Sequence, residues 1–448
     1  MDRLPTEILE MIGTFVDDKP TQRALTEASV KFHTVFTPRL YFSITLPSIW
    51  TPVHFDLIRR LCSSPELASL VHHFAFRIRG YDTYGEDKLP PRRKEYKPFI
   101  DELVAALCEL GCDEWVWWDG LESLHKDAWA CATLIKLTRL TRLKVALENY
   151  DISNLTETYL ARIWRLAALR PQPTVHAAPF QYLKDIFLFQ NRSQFSAQTF
   201  LTSQHILYPL CFPALNHVSL CGDFDYWDYE KDLEKCLSHD KFMTINCPVK
   251  EVTIWPSEYC NKIIKWFRES VNLERLNLVI SQVEREIPKI TVSDYSRQGL
   301  LMVKDTLKSL SVQLDERLRQ GLRERGPECY RLKMSIFRLS SLKDLCALEH
   351  LSIPHVNLTG LPDQRTYEGH PNSFIDHFPA SLKTLRITDI GFHPITALLL
   401  DVVGIVKERT SMPSLESVSL VLKKNRLEAY LLRWCLLFNG IGCITTPR

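Results

Sequence analysis

A short apolar pattern recurs along most of this 448-residue chain and constrains its fold more than any other feature. Each copy reads apolar-x-x-apolar-x-apolar, and from the second copy onward the copies start at intervals of 24 to 43 residues. The copies begin at Val71, Leu140, Leu183, Leu215, Val249, Leu273, Leu307, Leu348, Leu382 and Leu415. Because residues two apart face the same side of a sheet, the closing alternation predicts a strand in every copy.

Segments with helical spacing precede several of these strands, over residues 98–110, 156–170, 258–270 and 394–409. A strand and a helix cannot bury an apolar face alone, so such units stack on one another. The pattern resembles the strand segment of leucine-rich repeats, whose usual period is about 20–29 residues, although these copies are longer and irregular. The resemblance implies an α/β solenoid over residues 47–425, with parallel concave strands and convex helices, and a cap helix over residues 426–448.

The first 46 residues follow a different pattern. In "LPTEILEMIGTFV" the apolar side chains form a helical stripe, with Pro5 in the first turn and Glu7 near the helix N-terminus. A second helical pattern covers residues 21–36, after which Pro38 is expected to end the helix and Tyr41 to begin an extended segment. We therefore expect a compact bundle of two or three short helices, which is too small to be stable without support.

The same residues resemble an F-box. Leu4-Pro5-x-Glu7-Ile8-Leu9 and Phe15-Val16-Asp17 resemble its start, and the Leu40-Tyr41 pair stands where many F-boxes have Leu-Trp. The resemblance implies that residues 1–46 dock on the Skp adaptor of an SCF-type cullin–RING ubiquitin ligase in a helix-in-groove mode. The residues carried over to that contact are Leu4, Pro5, Ile8, Leu9 and Ile12. Alternatively, these side chains pack beneath the domain that follows.

The strand copies also predict a second surface. The residue between the last two apolar positions of each copy should face outward on the concave side of the sheet. The candidates for binding a target protein are Lys144, Phe187, Phe189, Asn277 and Arg386. Most of the other outward positions are small and polar, so the row suits protein recognition better than a dry small-molecule pocket. The alternative is a sheet face that is only solvated.

Composition limits the classes of function. A formal net charge of +2 argues against a dedicated nucleic-acid or membrane-surface binder. The run from Ile395 to Val406 contains Asp401 and is too short to span a bilayer, so a cytoplasmic or nuclear protein is expected. The 13 cysteines form no Cys-x-x-Cys pair and are predicted to be core thiols, with no metal site. No nucleotide-binding, hydrolase or metalloprotease motif is present, so no cofactor is expected.

Three further segments have unusual compositions. Residues 317–331 are rich in arginine and could meet an acidic motif, but a solvated helix and loop is the favoured interpretation. Residues 223–232 combine aspartates with aromatics and are predicted to be a solvated loop rather than a cation site. The cluster of Trp115, Trp117 and Trp118 is predicted to pack on a strand, with an aromatic binding patch as the alternative.

Taken in chain order, these patterns favour a non-catalytic, substrate-recognition subunit of an SCF-type ubiquitin ligase. The helical bundle would bind the Skp adaptor and the repeat surface would bind an unidentified target protein. A leucine-rich-repeat scaffold without ligase function is the main alternative. An undetected hydrolase is a third hypothesis, and it would require clustered acid, base or metal-binding side chains.

Overall fold

The computed structural model describes residues 4–47, 50–79, 93–109, 111–148, 158–169, 179–191, 208–222, 247–256, 272–280, 299–315, 341–354, 378–388 and 412–421. Within these ranges the fold is α/β, and the residues up to Asn216 and those from His217 onward belong to two compact units. The helices of the first unit are α1 (Thr6–Gly13), α2 (Lys19–Ala28), α3 (Val30–Phe42), α4 (Pro52–Ser63), α5 (Pro65–Ser69), α6 (Arg93–Glu109), α7 (Glu114–Glu122), α8 (Lys126–Leu134) and α9 (Tyr159–Leu169).

Parallel strands form the sheet of each unit. The first unit contains β1 (Ser43–Thr45), β2 (His73–Arg79), β3 (Arg142–Glu148) and β4 (Asp185–Asn191). The second contains β5 (His217–Gly222), β6 (Glu251–Pro256), β7 (Arg275–Ile280), β8 (Ser309–Leu314), β9 (His350–Pro354), β10 (Thr384–Thr388) and β11 (Ser417–Leu420). Within each unit every strand pairs with the next along the chain. Each of the ten apolar copies lies on one of the strands from β2 to β11, which confirms that prediction.

The alternation within a copy sets which side of the sheet each residue faces. In β3, Leu143 and Val145 are fully buried, whereas Lys144 between them is exposed. The apolar residue that opens each copy lies just before the strand, and Leu140, Leu273 and Leu348 are all buried there. The apolar positions of the copy thus pack inward, and the residues that alternate with them face outward.

A repeated backbone contact holds the register just before the strands. The carbonyl of Lys250 accepts hydrogen bonds from the N–H groups of Glu274 and Arg275, at 2.9 and 2.8 Å. The carbonyl of Lys308 accepts from Glu349 and His350 in the same way, at 2.8 and 2.9 Å. Because each carbonyl receives two donors from the next repeat, both of its lone pairs are used and slippage by one residue would break both bonds.

The N-terminal helices begin at the expected kinds of residue. The Asp18 side chain accepts a hydrogen bond from the N–H of Thr21 at 2.8 Å and caps α2, and Ser29 caps α3 by accepting from the N–H of Phe32 at 3.3 Å. Such caps satisfy N–H groups that have no partner within the helix. Helix α3 continues directly into β1, which pairs with β2. The helical pattern predicted over residues 21–36 is divided at Ser29 into α2 and α3, so the segment contains three helices, which belong to the same unit as the first strands.

The predicted helix end at Pro38 is wrong. Pro38 lies inside α3, which continues to Phe42, so Tyr41 is helical rather than extended. Proline removes one N–H donor from the helix. Packing compensates for this loss, since Phe32, Val35 and Phe36 bury their side chains from the same helix. The ammonium of Lys19 also donates to the C-terminal carbonyls of Arg39 and Leu40, at 3.1 and 2.7 Å.

The three tryptophans, which were predicted to pack on a strand, lie on a helix. This helix is α7, where Asp113 accepts a hydrogen bond from the N–H of Trp115 at 3.1 Å and caps the helix. Trp117 is buried with its ring 4.9 Å from that of Tyr159, while Trp115 points to solvent. Helical geometry separates neighbouring tryptophans by about 100°, so the cluster forms neither a strand face nor one continuous aromatic patch.

An aromatic core lies among the helices of the first unit. The Trp129 ring on α8 lies 5.5 Å from Phe55, 5.7 Å from Tyr96 and 5.6 Å from Phe99, measured between ring centroids. The Trp129 indole also donates to the carbonyl of Leu121 at 2.9 Å, so its buried N–H has a partner. This core joins α4, α6 and α8, and it includes α6, one of the helices predicted to precede a strand.

Helix α9 confirms a second of the predicted helices. The predictions for residues 223–232, 258–270, 317–331, 394–409 and 426–448 lie outside the described residues. Among the described cysteines, Cys62, Cys131 and Cys247 are core thiols as predicted, whereas Cys346 is exposed. Burial raises the pKa of Cys62 to about 12, so this side chain is a neutral thiol at neutral pH. No helix in the described part is long and apolar enough to cross a membrane.

Candidate functional site

Helix α1 has two apolar sides with different environments. Leu9 is fully buried in a cluster with Phe32, Val35 and Phe36 of α3, and Leu4 packs against the same cluster. Pro5, Ile8 and Ile12 are exposed instead. Of the five residues that the resemblance assigns to adaptor binding, Leu9 is therefore buried inside the bundle, and Leu4 is partly buried against it.

The exposed side of α1 forms a continuous stripe. The exposed fractions are 39% for Ile8, 60% for Met11, 42% for Ile12 and 84% for Phe15. The spacing i, i+3 and i+4 places Ile8, Met11 and Ile12 on one face of α1, and Phe15 follows in the turn after the helix. We call these four residues the α1 stripe. The residues that the resemblance assigns to adaptor binding do not include Met11 and Phe15, although both belong to the apolar helical pattern of the segment.

Polar contacts with α3 hold α1 in this orientation. The Arg39 guanidinium donates to the carbonyl of Glu10 at 2.8 Å, and the Lys31 ammonium donates to the carbonyl of Leu4. Gly13 permits the close approach, because a Cβ there would lie 2.7 Å from Nε of Arg39. The buried side of α1 is therefore fixed against α3 and the α1 stripe faces away from the cluster.

The outward strand positions of the first unit form aligned rows. Register pairs Lys144 with Phe187 and Ala146 with Phe189. The Lys144 ammonium lies 4.9 Å from the centroid of the Phe189 ring, and the Arg142 guanidinium lies 5.7 Å from that of Phe187. Both distances are within the range of cation–π attraction. Three predicted residues, Lys144, Phe187 and Phe189, thus lie together, and Arg142 joins them.

The outward positions of the second unit form another aligned row. Register connects Ser219, Thr253, Asn277, Ser311, Ser352, Arg386 and Ser419 in chain order. Asn277 donates to the side chains of Glu251 and Thr253, both at 3.3 Å, and Glu251 also pairs with Arg275 at 2.9 Å. Arg386 is exposed between two serines. Asn277 and Arg386 therefore share a row but have different surroundings.

Other features of the described residues point to no reaction chemistry. A small apolar cavity is lined by residues such as Leu107, Ile135 and Ile163. Asp127 is buried in α8, and that burial raises the pKa of its carboxyl well above the ordinary value. Among the residues that the structure describes, no group of three or more His, Cys, Asp and Glu side chains could hold a metal ion. The described residues present two exposed surfaces, the α1 stripe and the outward strand rows.

Sequence reasoning identified part of each surface. It selected the helix and the outward rows, but it did not select Arg142, whose role depends on a diagonal contact between neighbouring strands. That contact follows from the register, which a single copy of the pattern does not contain.

No protein-family model matches the chain, and no curated protein matches it at a significant level.

Proposed function

We propose that this chain is a substrate-recruiting subunit of an SCF-type ubiquitin ligase. Residues 4–47 would bind the Skp adaptor through the α1 stripe, and the outward face of the repeats would bind the target protein. The chain itself would carry out no chemistry; it would raise the local concentration of the target near the ligase. A subunit of this kind would work in the cytoplasm or nucleus.

The single observation that supports the proposal most strongly is the exposure of the α1 stripe. Three large apolar side chains at helical spacing are exposed on a helix whose opposite side is fixed in a bundle, and Phe15 is exposed in the turn that follows. Fully burying one fully exposed side chain of this kind contributes about 1.5–3 kcal/mol, so contact with a partner's groove would offset part of the cost of association. This is the helix-in-groove mode of recognition.

The position of Leu9 changes which residues test the proposal. A polar substitution at Leu9 or Leu4 would disturb the cluster with Phe32 and Phe36, and loss of binding would then report unfolding of the bundle. Ile8 and Ile12 are exposed, so Ile8→Asp with Ile12→Asp changes the surface and leaves that cluster intact. The suitable control is Val53→Asp on α4, which places the same charge on another exposed apolar residue.

The experiment is a pull-down of purified Skp adaptor by the full chain. Wild type and Val53→Asp are expected to retain the adaptor, and the double variant is expected to lose at least about tenfold in affinity, because each 1.4 kcal/mol is a factor of ten. Circular dichroism should show equal helix content in all three proteins. Equal recovery of the adaptor by the double variant would contradict the proposal and favour the repeat scaffold without ligase function.

A further inference from the structure

The outward face of β2, β3 and β4 is a positively charged surface with two aromatic rings. Nine positions in three aligned rows make up this surface, which we call the β2–β4 patch: His73, Arg142, Asp185, Ala75, Lys144, Phe187, Arg77, Ala146 and Phe189. Three of these residues are arginine or lysine, and Asp185 alone is acidic. The patch is therefore far more basic than the chain, whose net charge is +2 over 448 residues.

The charge of the patch comes from Arg77, Arg142 and Lys144. Burial lowers the pKa of His73, and the nearby charge of Arg142 acts in the same direction, so this imidazole is neutral at pH 7. Asp185 lies 3.3 Å from the Arg142 guanidinium and offsets one of the three charges. Arg77 and Lys144 are exposed. The net charge presented to a partner is thus positive.

The arrangement of the rings favours a peptide over a nucleic acid. Single-stranded nucleic acids bind by stacking their bases on open aromatic faces. Here a cation already lies over each ring, Arg142 over Phe187 and Lys144 over Phe189, at 5.7 and 4.9 Å. A carboxylate can meet these cations without displacing them from the rings, whereas a base cannot stack on a covered ring.

The sizes of the side chains in the patch also suit an extended peptide segment. Ala75 and Ala146 are small and lie on neighbouring strands one row apart, between Lys144 and Arg77. Adjacent strands are about 4.8 Å apart and alanine has the shortest side chain of the four, so the two alanines should leave a small recess beside both cations. An apolar side chain fits over the alanines, while acidic side chains on either side of it reach Lys144 and Arg77.

We propose that the β2–β4 patch binds an acidic peptide segment, with carboxylates at Arg77, Arg142 and Lys144 and an apolar side chain over Ala75 and Ala146. This inference rests on the proposed function only in naming the target's chemistry, because the binding itself needs no adaptor. Hydrogen bonds between ions supply the strength, and the small recess between the cations supplies the register.

The second unit provides a matched control. Lys304 is an exposed lysine that lies outside the strands and their outward rows. Lys304→Met therefore removes one exposed cation from the chain, as Lys144→Met does, but leaves the β2–β4 patch unchanged.

The test is fluorescence anisotropy of the full chain with a short fluorescein-labelled peptide in which glutamates flank a central leucine. We expect saturable binding that weakens at high salt, and little binding of the same peptide with glutamine in place of glutamate. Lys144→Met should weaken binding about fivefold and Lys144→Glu further, since an ion pair at an exposed site contributes up to about 1 kcal/mol, which is a factor of about five. Lys304→Met should bind as wild type does.

Several results would overturn the inference. These are equal binding of the glutamate and glutamine peptides, equal losses in Lys144→Met and Lys304→Met, or tighter binding of a single-stranded oligonucleotide than of the acidic peptide. Preference for a phosphoserine peptide by more than about tenfold would replace the carboxylate with a phosphate. Lys144→Glu should still capture the Skp adaptor, so failure of peptide binding and failure of the proposed function are separable.

Discussion

Helix α1 and strand β7 both carry regularly spaced apolar residues, but they use them differently. In β7, Leu276 is fully buried, and Leu273 just before the strand is buried as well. In α1, Leu9 is fully buried while Met11, two residues later, is 60% exposed. Strand β7 has a strand on each side, whereas α1 makes its cluster with α3. A regular apolar pattern is therefore buried between neighbours in one region and partly exposed in the other.

The largest effect is expected inside the repeats. Leu276→Ala should lower the free energy of unfolding of the second unit by about 2–5 kcal/mol, because the cavity between neighbouring repeats cannot collapse. The adjacent Asn277→Ala removes only side-chain hydrogen bonds and should cost about 0.5–1.5 kcal/mol. Urea unfolding with hydrogen exchange at β6 to β8 measures both. Equal losses of unfolding free energy in the two variants would contradict the assignment of Leu276 to the buried face and Asn277 to the outward face.

A second, smaller effect distinguishes the buried side of α1 from the α1 stripe. Leu9→Ala should destabilise the bundle at the lower end of about 2–5 kcal/mol, since its cluster is small. Phe15→Ala should change the free energy of unfolding by no more than about 0.5 kcal/mol, since its side chain is mostly solvated. Hydrogen exchange of the α3 amides provides the measurement. A large destabilisation by Phe15→Ala would mean that the α1 stripe belongs to the core.

The smallest effect concerns charges just before the strands of the second unit. Lysines and glutamates alternate there, and Glu274 lies 3.5 Å from Lys250 and 3.4 Å from Lys308. Burial acts to raise the pKa of Glu274, but the hydrogen bond from Lys308 and the two positive charges outweigh it, so its pKa lies below the ordinary 4.5. Glu274→Gln should cost about 0.2–1 kcal/mol at pH 7, as is usual for solvent-screened ion pairs.

The pH dependence of this effect has a definite sign. A carboxylate whose pKa is lower in the folded state stabilises the fold above its unfolded pKa, and the contribution disappears as the pH falls through the folded value. The difference between wild type and Glu274→Gln should therefore shrink between about pH 5 and pH 3, and also at high salt. Asp305→Asn, at an exposed carboxylate, is the matched control. A difference that persists at low pH would contradict a role for the ion pairs.

Particular elements show how much the sequence could predict. The strands were predictable, because alternation within a copy and its repetition along the chain point to the same structure. The α3 helix beyond Pro38 and the helical tryptophan cluster were not. At Pro38 tertiary packing outweighs a local helix breaker, and at Trp115 a cap from Asp113 selects a helix where bulky aromatics favour a strand.

For the candidate surfaces, the residue types were predictable and their partners were not. Sequence alone placed Lys144, Phe187 and Asn277 on outward positions. It did not show that Asn277 is engaged by Glu251 and Thr253, or that Lys144 lies over a ring two positions away on the next strand. These contacts depend on register, which the backbone hydrogen bonds before each strand establish.

By itself the sequence determined the strands of the repeats, several of the helices and which strand residues face inward, because local periodicity encodes each of them. Only the tertiary structure decided which apolar residues of α1 remain exposed and which outward cations meet aromatic rings. Those outcomes depend on α3 covering Leu9 and on neighbouring strands aligning Lys144 and Phe189 diagonally. They arise from contacts between segments far apart in the chain, and no local pattern contains that information.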